Sequence, residues 1–169
     1  MTSATKLPYV DPHARRGRMY FALCRLSATK FGAWFSINVA WKLDPLLLKI
    51  TRGRLSTAGP LASALLESRG AHTGLPRRNA TLYFHDGERV VIIASKRGWP
   101  THPAWYYNVL AHPDVVYGGL PFQATLVEDE AERERLWALA DCVFPEYADY
   151  RERAGEAGRT IPIFQLTPR

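Results

Sequence analysis

Three short segments carry more chemistry than chance polarity supplies. Arg69 to Arg78 (RGAHTGLPRR) is a glycine-bearing loop with arginines at both ends. Glycine lets a backbone approach an anion closely, and arginine forks grip phosphate or carboxylate oxygens. Ala94-Ser95-Lys96-Arg97-Gly98 directly follows an apolar run, so its small residues would let a flat ring lie against the backbone while Lys96 and Arg97 hold phosphates. Pro103 to Asn108 (PAWYYN) sets Trp105 and Tyr106 close to an amide. Each segment also has a plain structural reading. The first would be a surface turn with solvated charges, and Trp105 and Tyr106 would fill a core.

Other common chemistries lack support. There is no HExxH, CxxC or GxSxG, and no GxGxxG after a strand, so zincins, thiol redox motifs, the serine-hydrolase elbow and the usual nicotinamide fold are not indicated. His13, His72, His85, His102 and His112 stand singly in predicted loops, so solvent exposure is expected of each and no metal site is expected. Two cysteines, Cys24 and Cys142, exclude a disulfide scaffold and suit a reduced, cytoplasmic protein.

The elements that must position these segments follow from periodicity. Residues 1–14, with Pro8 and Pro12, read as a flexible leader. From Arg15 to about Leu48 the apolar spacing is helical, as one helix or as two meeting near Gly32, until Pro45 ends or kinks it. A strand-like piece at Ala64–Glu67 precedes a turn-rich stretch, Ser68–Pro76. Ala80–Phe84, a His85-Asp86-Gly87 turn and Arg89–Ser95 predict a hairpin, with Val90–Ala94 buried on both faces. A short helix is expected at Ala104–Ala111, and a second hairpin from Val115–Tyr117 and Phe122–Val127 around Gly118-Gly119. Asp129, with Glu132 three residues on, predicts a capped helix with a Leu136, Leu139, Ala140 and Val143 stripe. Thr160–Leu166 would be the last strand. Hairpins and isolated helices without a βαβ rhythm imply an antiparallel, barrel-like α+β fold.

The chain has 169 residues and a net charge of +6, placed unevenly. Residues 1–60 hold ten Lys/Arg against Asp11 and Asp44, which points that third toward an anionic partner. Phe31–Trp41 is uncharged but has only eleven residues, well short of the ~20 needed to cross a membrane. Arginines and lysines among tryptophans and phenylalanines over 15–43 suit a helix lying on a lipid surface, or one packed on the remaining chain. Nucleic-acid binding is not expected, because the basic residues form no dense stripe.

Taken together, SRGAHTGLPR, the LYF–DG–RVVIIASK hairpin, HPAWYYNVLAHPDV, FPEYADY and RTIPIF resemble the deazaflavin-dependent nitroreductase family, in the family's order, over about residues 65–167. The resemblance implies a split β-barrel of the type shared with FMN-binding oxidases, here residues 51–169, behind the leader (1–14) and a helical arm (15–50). It implies the reduced deazaflavin F420 as cofactor in preference to FMN. A hydride would pass to an activated enone, quinone or nitro compound. Ser95, Lys96, Arg97 and Gly98 match the loop that approaches the deazaflavin ring and phosphate. Trp105, Asn108 and Arg77 match further cofactor positions, and Tyr147 and Tyr150 match tyrosines on the substrate side. Tyr147, beside Ser95 at the reaction centre, would donate to the substrate oxygen, and Tyr150 would wall the pocket.

Two departures stand out. The family's Gly-Arg-Lys/Arg-Ser-Gly loop is Gly70-Ala71-His72-Thr73-Gly74 here, which leaves His72 and Thr73 at phosphate-binding positions. A family tyrosine is Phe144 here, in the substrate pocket. The aromatic arm also resembles branches that handle lipids or membrane quinones, with peripheral contact at the inner membrane face. The alternative from another class is a non-catalytic carrier of fatty acid or another hydrophobic ligand on the same barrel.

Overall fold

Alternating apolar residues in six segments close into one antiparallel barrel in the computed structural model, which describes residues 7–29, 39, 41–51 and 56–169. The strands are β1 (Ser63–Arg69), β2 (Pro76–Asp86), β3 (Arg89–Ile93), β4 (Asp114–Tyr117), β5 (Leu120–Leu126) and β6 (Ile163–Pro168). Their order is β1-β2-β3-β6-β5-β4, and Leu66 of β1 opposite Tyr117 of β4 completes the ring. The described helices are α1 (Arg18–Ala28), α2 (Trp41–Ile50), α3 (Ala104–Ala111), α4 (Glu130–Val143) and α5 (Tyr147–Glu156).

The period-2 rule explains two separate cores. Val90 and Ile92 of β3 join Leu66, Tyr117 and Phe164 in one apolar cluster, which α3 plugs with Trp105 and Val109. Val91 and Ile93 join the other, under α4 and α5, with Leu136, Ala140 and Tyr147. Strand β3 is therefore buried on both faces, as its unbroken apolar run predicts.

Several boundaries differ from expectation. The Ser68–Pro76 stretch is partly paired, because β1 and β2 run on to an Arg69–Pro76 pair and leave a turn of six residues, 70–75. The β2–β3 turn falls on Gly87-Glu88, where Gly87 takes a φ of 61°. Pro45 lies inside α2, about one turn from its start, where it removes a single helical bond. Gly32 lies outside the described residues. Residues 7–14 form no helix or strand, yet they are bonded to the barrel. The Tyr83 hydroxyl donates to the Pro8 carbonyl at 2.9 Å, and Val10 N donates to His85 Nδ1 at 3.0 Å. His85 is thus a buried β2 residue and not an exposed loop histidine. At α4 the Asp129 carboxylate accepts from Glu132 N at 2.8 Å, but the reciprocal half of the capping box is absent. The Glu132 carboxylate instead accepts from Arg135 and Gln165.

Candidate active site

The segment after β3 holds the two non-glycine residues with positive φ among the described residues. Lys96, Arg97 and Gly98 take φ values of 45°, 56° and 76°, three left-handed residues in succession. Only glycine adopts that region without penalty, so two non-glycine residues there need outside support. Helix α5 supplies part of it. A Cβ at Gly98 would lie 2.6 Å from the Tyr150 carbonyl oxygen, so the loop lies directly on the helix backbone. The Arg97 guanidinium lies 5.6 Å from the Tyr150 ring centre, and Arg153 approaches the same ring at 5.0 Å. Helix α5 is in turn fixed to α4 by the fork from Arg151 to Asp141, with bonds of 2.8 and 2.7 Å.

The glycine loop is held from another side. Asn108 Oδ1 on α3 accepts from Ala71 N at 2.9 Å, which ties the β1–β2 turn to α3. The glycines of this turn serve its own closure. Gly70 N donates to Leu75 O at 2.9 Å, a Cβ on Gly70 would meet Thr73 Oγ1 at 2.6 Å, and Gly74 has a φ of 65°. His72, Thr73 and Arg77 are exposed. Arg78 is engaged with Glu67 at 2.8 Å, whereas Arg69, Arg77 and Arg153 form no ion pair among the described residues. At the same end of β1, opposite Arg77, the buried Ser68 hydroxyl lacks a partner.

Other expected residues sit elsewhere. Trp105 is in the barrel core, its ring centre 6.0 Å from that of Phe164, so the core-filling reading describes its place. The Lys96 ammonium folds back to Thr101 Oγ1 at 2.7 Å and lies 5.4 Å from the Trp99 ring centre. Tyr147 does not line an open pocket. It is 5% exposed and packed edge-on against Trp137, Phe144 and Tyr150, in an apolar cluster that also holds Tyr150 and Cys24 of α1. The Tyr20 hydroxyl ties α1 to the end of α4, donating to Val143 O at 2.7 Å.

Burial raises the pKa of both tyrosines, and they differ in what opposes it. Arg97 and Arg153 pull Tyr150 back down, partly offset by Glu146 and Asp149, while at Tyr147 the neighbouring Tyr150, Tyr20 and Asp141 all raise it further. The pocket beside Phe144 and Tyr147 holds only about 10 Å³. A cleft of about 570 Å³ is lined by His102, Tyr106, Glu128, Glu130, Arg133 and Arg159 among others, and by none of the expected site residues. The polar, left-handed loop is the better guide to chemistry, because open surface volume alone implies no ligand.

The sequence reading assigned no role to Arg153, to His102 or to the buried Arg159, which bonds the carbonyls of the Ser95 loop. The Tyr147, Tyr150 and Ala154 spacing of α5 was a helical signal available in the sequence.

A family model described as F420H(2)-dependent quinone reductase matches residues 43–168. An F420H(2)-dependent quinone reductase of Mycobacterium tuberculosis is 34% identical over 136 residues, covering 76% of this chain and 89% of that one. A solved F420-H2 dependent reductase is 36% identical with a TM-score of 0.54, over 62% of this chain and 92% of that one. A second solved chain, described as a domain-swapped dimer, is 30% identical with a TM-score of 0.55, over 72% of this chain and 94% of that one.

Proposed function

Because the chain belongs to the F420H(2)-dependent quinone reductase family, we propose that its two basic loops hold F420 and that a quinone-like molecule is the acceptor. F420-dependent oxidoreductase activity follows from that membership. The observation that carries the site assignment is the set of exposed arginines without ion pairs, Arg69 and Arg77 at the glycine loop and Arg153 beside the Ser95 turn. F420 bears a phosphate and an oligoglutamate tail, and exposed arginine forks without ion pairs suit such an anion.

When bound, the reduced cofactor supplies the hydride. The chain's own residues do the rest. Arg77, His72 and Thr73 receive the anionic tail on one side, and Lys96 and Arg97 on the other. Asn108 orients the glycine loop through Ala71 N. Ser95 and Gly98 bring the backbone up to the ring. Tyr147 and Tyr150 are equally buried, and we place the proton donor at Tyr150 because Arg97 and Arg153 lie at its ring and oppose the rise that burial gives its pKa. Phe144 and Tyr147 form the apolar wall behind it, and Trp105 supports the loop from the core. A carrier function has no comparable support. Room of about 10 Å³ beside Phe144 suits one water and no acyl chain.

The first test is cofactor affinity. Arg97→Ala and Lys96→Ala are each expected to weaken F420 binding by about 1–3 kcal/mol, the scale of a lost charge-assisted bond, with a smaller loss in high salt. Wild-type affinity in the double variant would remove these residues from the site. Turnover is read from oxidation of reduced F420 by a menadione-like quinone.

A lipid contact for the arm is the finer part of the proposal. Met19, Leu23, Leu46 and Ile50 are exposed near Arg18, Arg25 and Lys49, the composition of an interfacial helix. No helix among the described residues is long and apolar enough to cross a membrane. A Met19→Ser, Leu23→Ser, Ile50→Ser variant is expected to float less with vesicles containing anionic lipid. Equal flotation would confine the arm to packing on the barrel.

A further inference from the structure

We propose that Arg159 is the positioning residue of the Ser95–Gly98 turn, clamping it through three backbone carbonyls with neutral His102 as the latch. Arg159 is 7% exposed and forms no ion pair among the described residues, an unusual state for a buried cation. Its donors go to backbone. Nη1 donates to Ser95 O at 3.1 Å and to Trp99 O at 2.6 Å, and Nη2 donates to Ala94 O. Nε donates to His102 Nδ1 at 3.0 Å. These carbonyls lie on both flanks of the left-handed run at Lys96, Arg97 and Gly98.

The planar guanidinium fork explains why arginine suits the place. It reaches both flanks of the turn from one point, and carbonyl dipoles replace the water that its charge has lost. Its own backbone is anchored, since Arg159 N donates to Ala154 O at 2.8 Å at the end of α5. One residue thus joins α5, the turn and the approach to α3. This deepens the cofactor proposal, because the clamped backbone is the part assigned to the deazaflavin ring.

The latch requires His102 to be neutral, since protonated Nδ1 cannot accept. Lys96 and Arg159 face the imidazole, Tyr106 packs on it at 4.4 Å and Tyr107 at 6.0 Å. Glu128, Glu130 and Arg133 line the same cleft. Burial, Arg159 and Lys96 together lower its pKa. The folded clamp therefore prefers the neutral ring. It is fully made above the ordinary histidine value of about 6.5 and weakens as the pH falls below that, toward the lowered value.

Affinity for oxidised F420 and amide hydrogen exchange are measured on the full-length protein. Arg159→Gln is expected to weaken F420 about tenfold or more and to speed exchange at Gly98 and Trp99, whose N–H groups close the turn on Ser95 O and Lys96 O. Arg159→Lys should restore part of both. Wild-type affinity should fall as the pH drops from about 7.5 to about 5.5. In His102→Asn, which keeps an acceptor at the Nδ1 position without titrating, that fall should be lost. A folded Arg159→Gln with wild-type affinity and exchange overturns the clamp, as does a pH dependence unchanged in His102→Asn. If Arg159→Gln does not fold, the His102→Asn profile alone decides. Wild-type protein that fails to bind F420, with exchange still raised in Arg159→Gln, would overturn the cofactor reading and support the clamp.

Discussion

Gly98→Ala is expected to destabilise the protein by about 2–5 kcal/mol, more than alanine at any other left-handed glycine with open space around it. Two effects combine. A Cβ in the left-handed region costs about 1–2 kcal/mol. At Gly98 the added carbon also falls 2.6 Å from the Tyr150 carbonyl oxygen and 3.1 Å from its Cα, both backbone atoms that move only with helix α5. Overpacking of that kind costs about 1–3 kcal/mol. Gly119 is the internal control, with a φ of 85° and nothing within 4 Å of the new carbon. Urea denaturation of both variants separates the contributions, and equal losses would mean the loop does not rest on α5. F420 affinity in Gly98→Ala should fall as well, since Lys96 and Arg97 share the displaced turn.

Tyr150→Phe is expected to lower kcat and kcat/KM together by about 10²-fold with reduced F420 and a menadione-like quinone, leaving cofactor affinity nearly unchanged. Charge grows on the acceptor oxygen as the hydride arrives, and a donor placed there acts mainly in the transition state. Arg97 and Arg153 sharpen that donor, yet burial keeps its pKa above the ordinary phenol value, so it stays protonated throughout the neutral range. From this group kcat should be flat near neutrality and fall only on the alkaline side, where the phenol ionises. Tyr147→Phe should alter turnover by less than about threefold, an upper limit for losing a hydroxyl outside the reaction. Tyr147→Ala should cost stability instead, about 3–5 kcal/mol for emptying a buried aromatic site. If the large kinetic loss follows Tyr147→Phe, the donor role belongs to Tyr147 after all, and the rings packed on it must part for substrate to reach it.

Much of this was legible in the residues taken in order. The antiparallel class, both hairpins, the buried β3 run, the Asp129 cap and the short Ala104–Ala111 helix rest on interactions between residues a few positions apart. Periodicity and turn chemistry report such interactions directly. The Ser95–Gly98 loop was legible for the same reason, since a small, basic segment behind a buried strand is a local pattern. Helix α5 was missed although Tyr147, Tyr150 and Ala154 had helical spacing, because the segment is short and rich in charge.

What the linear pattern left open were choices between partners far apart along the chain. Trp105 could face a cofactor or a core with equal local logic, and its packing against Phe164 decided it. Tyr147 and Tyr150 are separated by one helical turn and share one apolar cluster, and the placement of Arg97 and Arg153 over the Tyr150 ring distinguishes them. Arg159 reads in sequence as one more arginine beside a glycine. Its carbonyl partners lie up to 65 residues away, and the short-range pattern that encodes strands and turns holds no record of them. Residue types and spacing determined which elements form and which side chains carry charge. Barrel closure, which joins β1 to β4 and seats α5 on the Ser95 loop, decided which of those charges are spent on backbone and which remain for a ligand.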